Sequence, residues 1–164
     1  MSNLRTLNFA IYSSAIEDLF DGLEDAAAAA IRPAAQAGAQ VMYDQVRNNV
    51  QGLRQHTGNL LRSIYQVYRK DSSIDGVIAS YAVSWNARKA PHAHLVEYGH
   101  IQRYREYIAR KGPKKGQLVT DRTHPIAPKQ VAATAFMRRA IAAKSEAAVD
   151  AMRDELLKRL DEHL

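Results

Sequence analysis

The sequence predicts an α+β fold, in which a small antiparallel sheet packs against two long helices and a long basic arm precedes the C-terminal helix. Three observations support this. Apolar residues recur at spacings of three and four over residues 24–51 and again after residue 128, which is the helical period. Residues 63–70 and 76–86 are rich in β-branched and aromatic residues and are separated by turn formers. Residues 100–130 follow neither pattern.

The N-terminal segment is predicted to contain a short strand and a short helix. In residues 7–11, Leu, Phe and Ile alternate with Asn and Ala, which indicates a strand. Ser13 or Ser14 can cap a helix that follows. We expect this helix to end near Gly22, because glycine is a common helix terminator.

A second, longer helix is predicted from about Glu24 to Gln51. Pro33 lies inside it and removes a backbone hydrogen-bond donor. We therefore expect a kink at residues 29–33, or two helices in place of one. Its apolar stripe consists of Ile31, Ala35, Gly38, Met42, Val46, Val50 and Leu53.

Residues 63–70 and 76–86 are predicted to pair as a β-hairpin. The connection between them, residues 71–76, is rich in Asp, Ser and Gly, which favours a turn. In the second strand one face is mostly apolar and the other is small or polar, as in a half-buried strand. The apolar face consists of Val77, Ala79, Tyr81, Val83 and Trp85.

The C-terminal helix is predicted from about Pro128 to Leu164. Charged residues fill one side of it and a broad apolar band fills the other. We expect Phe136, at its start, to pack with Tyr81 and Trp85 between the sheet and the helices. The band consists of Phe136, Ala140, Ile141, Ala147, Ala148, Met152, Leu156 and Leu160.

Positive charge is concentrated in one segment. The whole chain has a net charge of +6. Residues 100–122 contain seven Lys or Arg against Glu106 and Asp121, a net charge of +5, so the rest of the chain is nearly neutral. We interpret residues 100–130 as an arm that extends from a single domain, residues 1–164. The basic residues are Arg103, Arg105, Arg110, Lys111, Lys114, Lys115 and Arg122.

The sequence contains no recognisable catalytic motif. It has no cysteine, which excludes disulfides and thiolate chemistry. No serine lies in a G-x-S-x-G motif, and no lysine lies in a phosphate-binding loop. His92 and His94, with Glu97 and His100 close by, could hold a metal only if residues 92–94 were extended. We expect no enzymatic activity, no cofactor and no metal site.

Three short motifs occur in order along the chain. The first follows the long helix, the second lies just before the arm, and the third opens the C-terminal helix. They comprise Thr57, Gly58, Leu60, Ser63 and Ile64; then Val96, Glu97, Tyr98 and Gly99; then Phe136, Met137 and Ala140.

These motifs resemble the tail-component family typified by gene product ten of lambdoid siphophages, over roughly residues 25–160. The resemblance implies a structural subunit that completes the tail or forms the neck, in a ring around the DNA channel at the head–tail junction. The Ala-rich face of residues 26–39 is then a candidate for close helix packing between subunits. Two departures exist: Ala135 replaces the family's proline, and residues 100–130 replace a short loop.

The resemblance also implies partners and a location. The subunit would bind copies of itself, the adjacent head-completion protein, and a tail-terminator or tail-tube protein. It would be made and assembled in the cytoplasm of the bacterial host and would reside in the virion. The sequence agrees with this expectation, because it has no apolar run long enough to span a membrane and its N-terminal segment lacks the apolar region of a signal peptide. A tail-terminator ring protein is an alternative role.

The role of the arm is left open by the sequence. It could dock on an acidic neighbouring subunit, or form a solvated loop. Tyr104 and Tyr107, among the cations, could instead stack on bases while the cations contact phosphates, as in a nucleic-acid-binding module. An arm that lines a DNA channel would combine contacts with protein and with DNA.

Overall fold

The computed structural model describes residues 13–53 and 58–162 and has the predicted α+β fold. In order, its elements are α1 (Ser13–Gln51), α2 (Asn59–Ser63), β1 (Ile64–Tyr68), β2 (Tyr81–Trp85), α3 (Ala93–Tyr98), β3 (His100–Ile108), β4 (Leu118–Val131) and α4 (Phe136–Asp161). Each sheet has two antiparallel strands, β1–β2 and β3–β4. The predicted strand at residues 7–11 and the motif residue Thr57 lie outside the described residues.

Helix α1 is one continuous helix, so the predicted end at Gly22 was wrong. Of the two alternatives predicted at Pro33, a kink or a division into two helices, the division is excluded. A glycine costs a helix about 1 kcal/mol relative to alanine, which is too little to end a cooperative helix that continues on both sides of it. Pro33 leaves one backbone carbonyl without its helical partner, but packing surrounds it. Ala26 and Ala30, which precede Pro33, and Ala34, which follows it, are all buried.

Helices α1 and α4 pack closely in antiparallel directions. The Asn49 side chain donates a hydrogen bond of 2.8 Å to the carbonyl oxygen of Phe136, at the start of α4. Further along, Gly38 lies against Ala148 and Met152, and a Cβ atom there would be 2.9 Å from the Ala148 carbonyl oxygen. The Ala-rich face is therefore already buried within the chain, and it is not free for a neighbouring subunit as predicted.

The predicted hairpin is confirmed, although both of its strands are shorter than predicted. Strands β1 and β2 pair from Ile64 opposite Trp85 to Tyr68 opposite Tyr81. Residues 69–80 form a longer connection, which includes a bridge between Ile74 and Ile78. The hairpin lies along α1.

The hydrophobic core lies where α1, the hairpin and α4 meet. Phe136 is completely buried, and its ring meets the Trp85 ring edge-on at 5.9 Å between centroids, as predicted. The prediction was wrong for Tyr81, which packs outside this core, where its ring lies 5.3 Å from the ring of Tyr68. The buried core consists of Val46, Val50, Leu60, Ile64, Ala90, Ala93, Phe136 and Ala140.

Residues 100–131 form a β-ribbon, defined here as β3, β4 and the turn between them. The predicted arm is thus present, and it is a paired ribbon, a structure that the sequence did not indicate. The predicted start of the C-terminal helix at Pro128 was wrong, since β4 continues to Val131 and α4 begins at Phe136. Register shifts on both sides of Tyr104 interrupt the pairing and hide the alternating period from sequence inspection. The prolines are tolerated because a two-stranded ribbon has two open edges.

Candidate functional site

The ribbon displays the basic residues predicted as contacts. All seven are exposed, and within residues 13–53 and 58–162 none of them makes an ion pair. Four of them cluster in the turn between β3 and β4. These four are Arg110, Lys111, Lys114 and Lys115.

The turn has a defined backbone. Gly112 and Gly116 adopt φ angles of 81° and 80°, a region that favours glycine. The backbone N–H of Lys115 donates to the Gly112 carbonyl at 3.0 Å, and that of Gly116 donates to the Ala109 carbonyl at 2.8 Å. The four cations are thus held close together at the tip of the ribbon.

A side-chain cluster stabilises the bulged part of β4, where residues 122–124 have no partner in the β3–β4 register. The Asp121 carboxylate accepts hydrogen bonds from the backbone N–H and the hydroxyl of Thr123, and lies 2.9 Å from Nδ1 of His124. The Thr123 hydroxyl, then His124, lower the pKa of Asp121 to about 2. Sequence analysis missed this cluster, although an Asp two residues before a Thr is a common turn signal.

The ribbon also exposes apolar surface. Tyr104 and Tyr107 are 38% and 49% exposed, so both rings are available for contacts. Ile101, Ile108 and Ile126 are exposed as well. A basic surface that also offers aromatic and aliphatic groups can bind a partner through more than charge.

The base of the ribbon is anchored at Gly99. This residue has φ 75° and ψ 172°, a conformation essentially limited to glycine. A Cβ atom there would be 2.7 Å from the Val131 carbonyl oxygen and 2.8 Å from the Ala133 backbone nitrogen. The backbone N–H of Thr134 donates to the Val96 carbonyl at 2.8 Å. Residues of the second motif therefore fix the base of the ribbon, where the chain enters β3 and where it comes back after β4.

Glu97, also in the second motif, is a buried carboxylate that caps α4. Its oxygens accept the backbone N–H groups of Met137 at 2.9 Å and Arg138 at 3.3 Å. The Arg138 side chain donates to the Glu97 carboxylate and carbonyl, and it lies over the Tyr98 ring, 5.3 Å from its centroid. We predicted the motif but not this contact.

Ala135 precedes α4 with φ 53°, and its side chain offers no cap. Proline is confined to a φ of about −65°. The replacement of the family's proline by alanine is therefore consistent with the backbone at this position.

The first motif shapes the entry into the hairpin. Gly58, just before α2, has φ 67°. Leu60 and Ile64 are in the core, and the buried Ser63 hydroxyl donates to the Leu60 carbonyl at 2.7 Å. In the described residues, the three motifs thus make structural contacts, whereas the predicted contact residues lie apart from them on the ribbon.

An apolar groove of about 420 Å³ lies between α1, β2 and α4. Ile141 and Met152, two residues of the predicted apolar band of α4, line this groove and are 56% and 37% exposed. Gly38, Met42, Tyr81 and Val83 line it from the other elements.

The histidines considered for a metal site are not in the extended arrangement that the site would need. His92 lies just before α3 and its side chain makes no capping hydrogen bond, His94 lies within the first turn of α3, and both are exposed. Among the described residues, no group of three His, Asp or Glu is placed to hold a metal ion. In the same part of the chain, no helix has the length and hydropathy needed to span a membrane.

Comparison with known proteins identifies one family. A family model described as "Bacteriophage HK97-gp10, putative tail-component" matches residues 14–99, just over half of the chain. The match includes α1, the hairpin and the first two motifs. It ends at Gly99, so the ribbon, α4 and the third motif lie beyond it, although we expected similarity to about residue 160. No curated protein and no solved structure matches significantly.

Proposed function

The chain belongs to the family of HK97-gp10-like bacteriophage tail components, and from this premise we propose that it is a tail-completion or neck subunit. It is a structural component of the phage tail and hence of the virion. In the proposal, copies of the chain form a ring around the DNA channel at the head–tail junction. The ring joins the tail to the head by binding the neighbouring proteins, and it does so without chemical turnover.

One observation supports an assembly role above the others, namely the ribbon. The ribbon presents seven exposed cations that make no ion pair in the described structure, together with two exposed tyrosines. Such a surface is typical of a contact with a partner of opposite charge. We propose that the seven predicted contact residues are used in this way, and that residues 1–164 act as a single domain with residues 100–130 as its extension.

The partners in this proposal are other copies of the chain, the head-completion protein on one side, and a tail-terminator or tail-tube protein on the other. Non-specific contact between the ribbon and channel DNA is compatible with the same position. A tail-terminator role would use the same surfaces, one layer further from the head.

A second candidate is a nucleic-acid-binding module, and the position of Tyr104 and Tyr107 close to Arg103 and Arg105 on β3 favours it. Cations would contact phosphates while the rings stack on unpaired bases. Binding would then weaken steeply with salt and would be lost when both tyrosines are replaced by alanine.

The position of the protein in the particle tests the proposal. Labelled protein, located in images of intact virions, should lie at the head–tail junction. A location along the tail tube or at its distal end would contradict the neck role.

A genetic test uses the ribbon. Neutralising six cations to alanine should leave the fold intact and cause unjoined heads and tails to accumulate. A control variant, in which exposed cations of α4 are neutralised, should give normal particles. Normal titre from the ribbon variant would show that these residues are plain solvated surface. The test variant changes Arg103, Arg105, Arg110, Lys111, Lys114 and Lys115, and the control changes Arg139, Lys144 and Lys158.

A further inference from the structure

The start of α1 has the opposite charge to the ribbon. Residues 13–25 contain no Lys or Arg and five carboxylates: Glu17, Asp18, Asp21, Glu24 and Asp25. Asp21, Glu24 and Asp25 are exposed, and in the portion of the chain that the structure describes none of the three makes an ion pair. The molecule therefore has a basic and an acidic surface, and neither is neutralised within the described structure.

The acidic part of α1 extends past the helix that packs against it. Met152 lies against Gly38, which aligns these two positions of the antiparallel helices. From there α4 continues nine residues to Asp161, whereas α1 extends 25 residues back to Ser13. The difference of 16 residues, at a rise of about 1.5 Å each, means that α1 runs roughly 24 Å beyond the end of α4. The sequence of this extension also repeats apolar residues at spacings of three and four, which is typical of an amphipathic helix. These residues are Ile16, Leu19, Phe20 and Leu23.

The two charged surfaces belong to opposite ends of α1. The base of the ribbon is next to the start of α4, and Asn49 connects that point to the C-terminal end of α1. Asp25 lies about 36 Å from Asn49 along the helix, because each residue adds about 1.5 Å. The acidic surface of one subunit is therefore distant from the base of its own ribbon.

We infer that the basic ribbon of one copy docks on the acidic first turns of α1 in the next copy. Because the two surfaces differ, the interface is heterologous, and repeating it around a closed circle produces a ring. Exposed Tyr107 and Ile108, which precede the basic tip, would add apolar contact to the charge attraction. This inference rests on the proposed ring and names the contact that would build it.

A second copy explains more of the structure than DNA does. DNA would attract the ribbon but would be repelled by the carboxylates of α1, which would then have no role. An acidic protein of another kind would also leave the first turns of α1 unexplained. In a ring of identical chains both surfaces are neutralised, because each copy binds one neighbour through its ribbon and the other neighbour through the start of its α1.

Charge reversal in the full chain tests the inference, with sedimentation velocity as the readout. The unchanged protein should form oligomers at low salt that dissociate as salt rises, because exposed charges are screened beyond about 10 Å at 0.1 M salt. The basic-tip variant has Arg110→Glu, Lys111→Glu, Lys114→Glu and Lys115→Glu. The acidic-helix variant has Asp21→Lys, Glu24→Lys and Asp25→Lys.

Each variant alone should remain monomeric, because its two interacting surfaces then have the same sign. An equimolar mixture of the two should assemble again, since the reversed ribbon of one matches the reversed helix of the other. A matched control with Arg139→Glu, Lys144→Glu and Lys158→Glu on α4 should oligomerise like the unchanged protein. Circular dichroism of each variant checks that the fold is retained.

Failure of the inference can be told apart from failure of the proposed function. If the unchanged protein and both reversed variants all form rings, the inferred contact is wrong, although the proposed ring is still supported. The inference is overturned if the mixture stays monomeric and if, of the proteins tested, only the basic-tip variant fails to retard DNA in a gel-shift assay. That result would show that the ribbon binds nucleic acid. Absence of the protein from the head–tail junction would contradict the proposed function, whatever the sedimentation result.

Discussion

The Glu97 carboxylate accepts the backbone N–H of Met137 at 2.9 Å, across 40 residues of chain. Glu97 lies in α3, just before the ribbon begins, and Met137 lies in the first turn of α4, just after the ribbon ends. A negative charge at a helix N-terminus satisfies free N–H groups and interacts favourably with the helix dipole. The contact therefore closes the fold around the inserted ribbon.

Replacing Glu97 by alanine should destabilise the protein by about 1–3 kcal/mol, because two backbone donors at the start of α4 would lose their acceptor in a buried place. Urea denaturation followed by circular dichroism measures the effect. Glu97→Gln retains one oxygen acceptor and should lose less. Glu106→Ala, on the exposed surface of the ribbon, is the matched control, and an equal loss there would contradict the capping role.

Two glycines of α1 should respond oppositely to alanine. Gly22→Ala should stabilise the helix by about 0.5–1 kcal/mol, because a Cβ there meets nothing within 4 Å. Gly38→Ala should destabilise the protein by about 1–3 kcal/mol, because the new methyl group forces α1 away from α4. Thermal unfolding of the two variants side by side provides the comparison. Stabilisation by both would show that the helices are not packed this closely.

Phe136→Ala should cost about 3–5 kcal/mol, since a completely buried ring is removed from the core. Trp85, the only tryptophan, packs against this ring, so its fluorescence should report the change directly. Ile141→Ala, at a more exposed position on α4, should alter stability by no more than about 0.5 kcal/mol. An unchanged unfolding midpoint for Phe136→Ala would mean that the core has been misidentified.

The Asp121 carboxyl should titrate near its folded pKa of about 2, below its ordinary value of 3.8. Because folding lowers this pKa, its contribution to stability is present above pH 3.8 and is lost as the pH falls towards 2. NMR titration of the carboxyl measures it. Thr123→Val should shift the pKa upwards by removing the hydroxyl donor, and His124→Ala should do the same. A midpoint near 4 in the unchanged protein would contradict the cluster.

The ribbon should be mobile in the isolated subunit, because a two-stranded hairpin is marginally stable by itself. Among the described elements, β3 and β4 make extensive contacts only with each other. Trypsin should therefore cut first at the tip, after Arg110 or Lys111, and leave fragments that end there. Oligomers at low salt should be cut more slowly than monomers at high salt. Resistance of the tip to trypsin in the monomer would show that the ribbon is rigid by itself.

Local patterns in the sequence were enough to predict much of the fold. The hairpin β1–β2 follows from uninterrupted alternation next to turn formers, and the apolar stripe of α1 contains the buried Val46 and Val50. The ribbon could not be predicted in this way, because register shifts beside Tyr104 break the alternation. The break at Gly22 was predicted from local propensity alone, which the rest of the helix overrides.

The candidate site was predictable in its composition but not in its geometry. Counting charges identified the seven cations without any structure. Nothing local to Glu97 indicated that it would meet Met137, because a contact over 40 residues depends on the whole fold. The pairing proposed between ribbon and α1 likewise needs the structure, which shows that Asp21, Glu24 and Asp25 are exposed.

The chain leaves the body at Gly99 and returns at Val131–Ala133, only a few ångströms away. Everything between these points can lengthen, shorten or change its charge while the core and the Glu97 cap stay as they are. Under the proposed function, the reach and the partner preference of the subunit would therefore evolve separately from its stability. A phage that acquires a neighbour with a different surface would then need to exchange only residues 100–131, and the rest of the fold would be inherited unchanged.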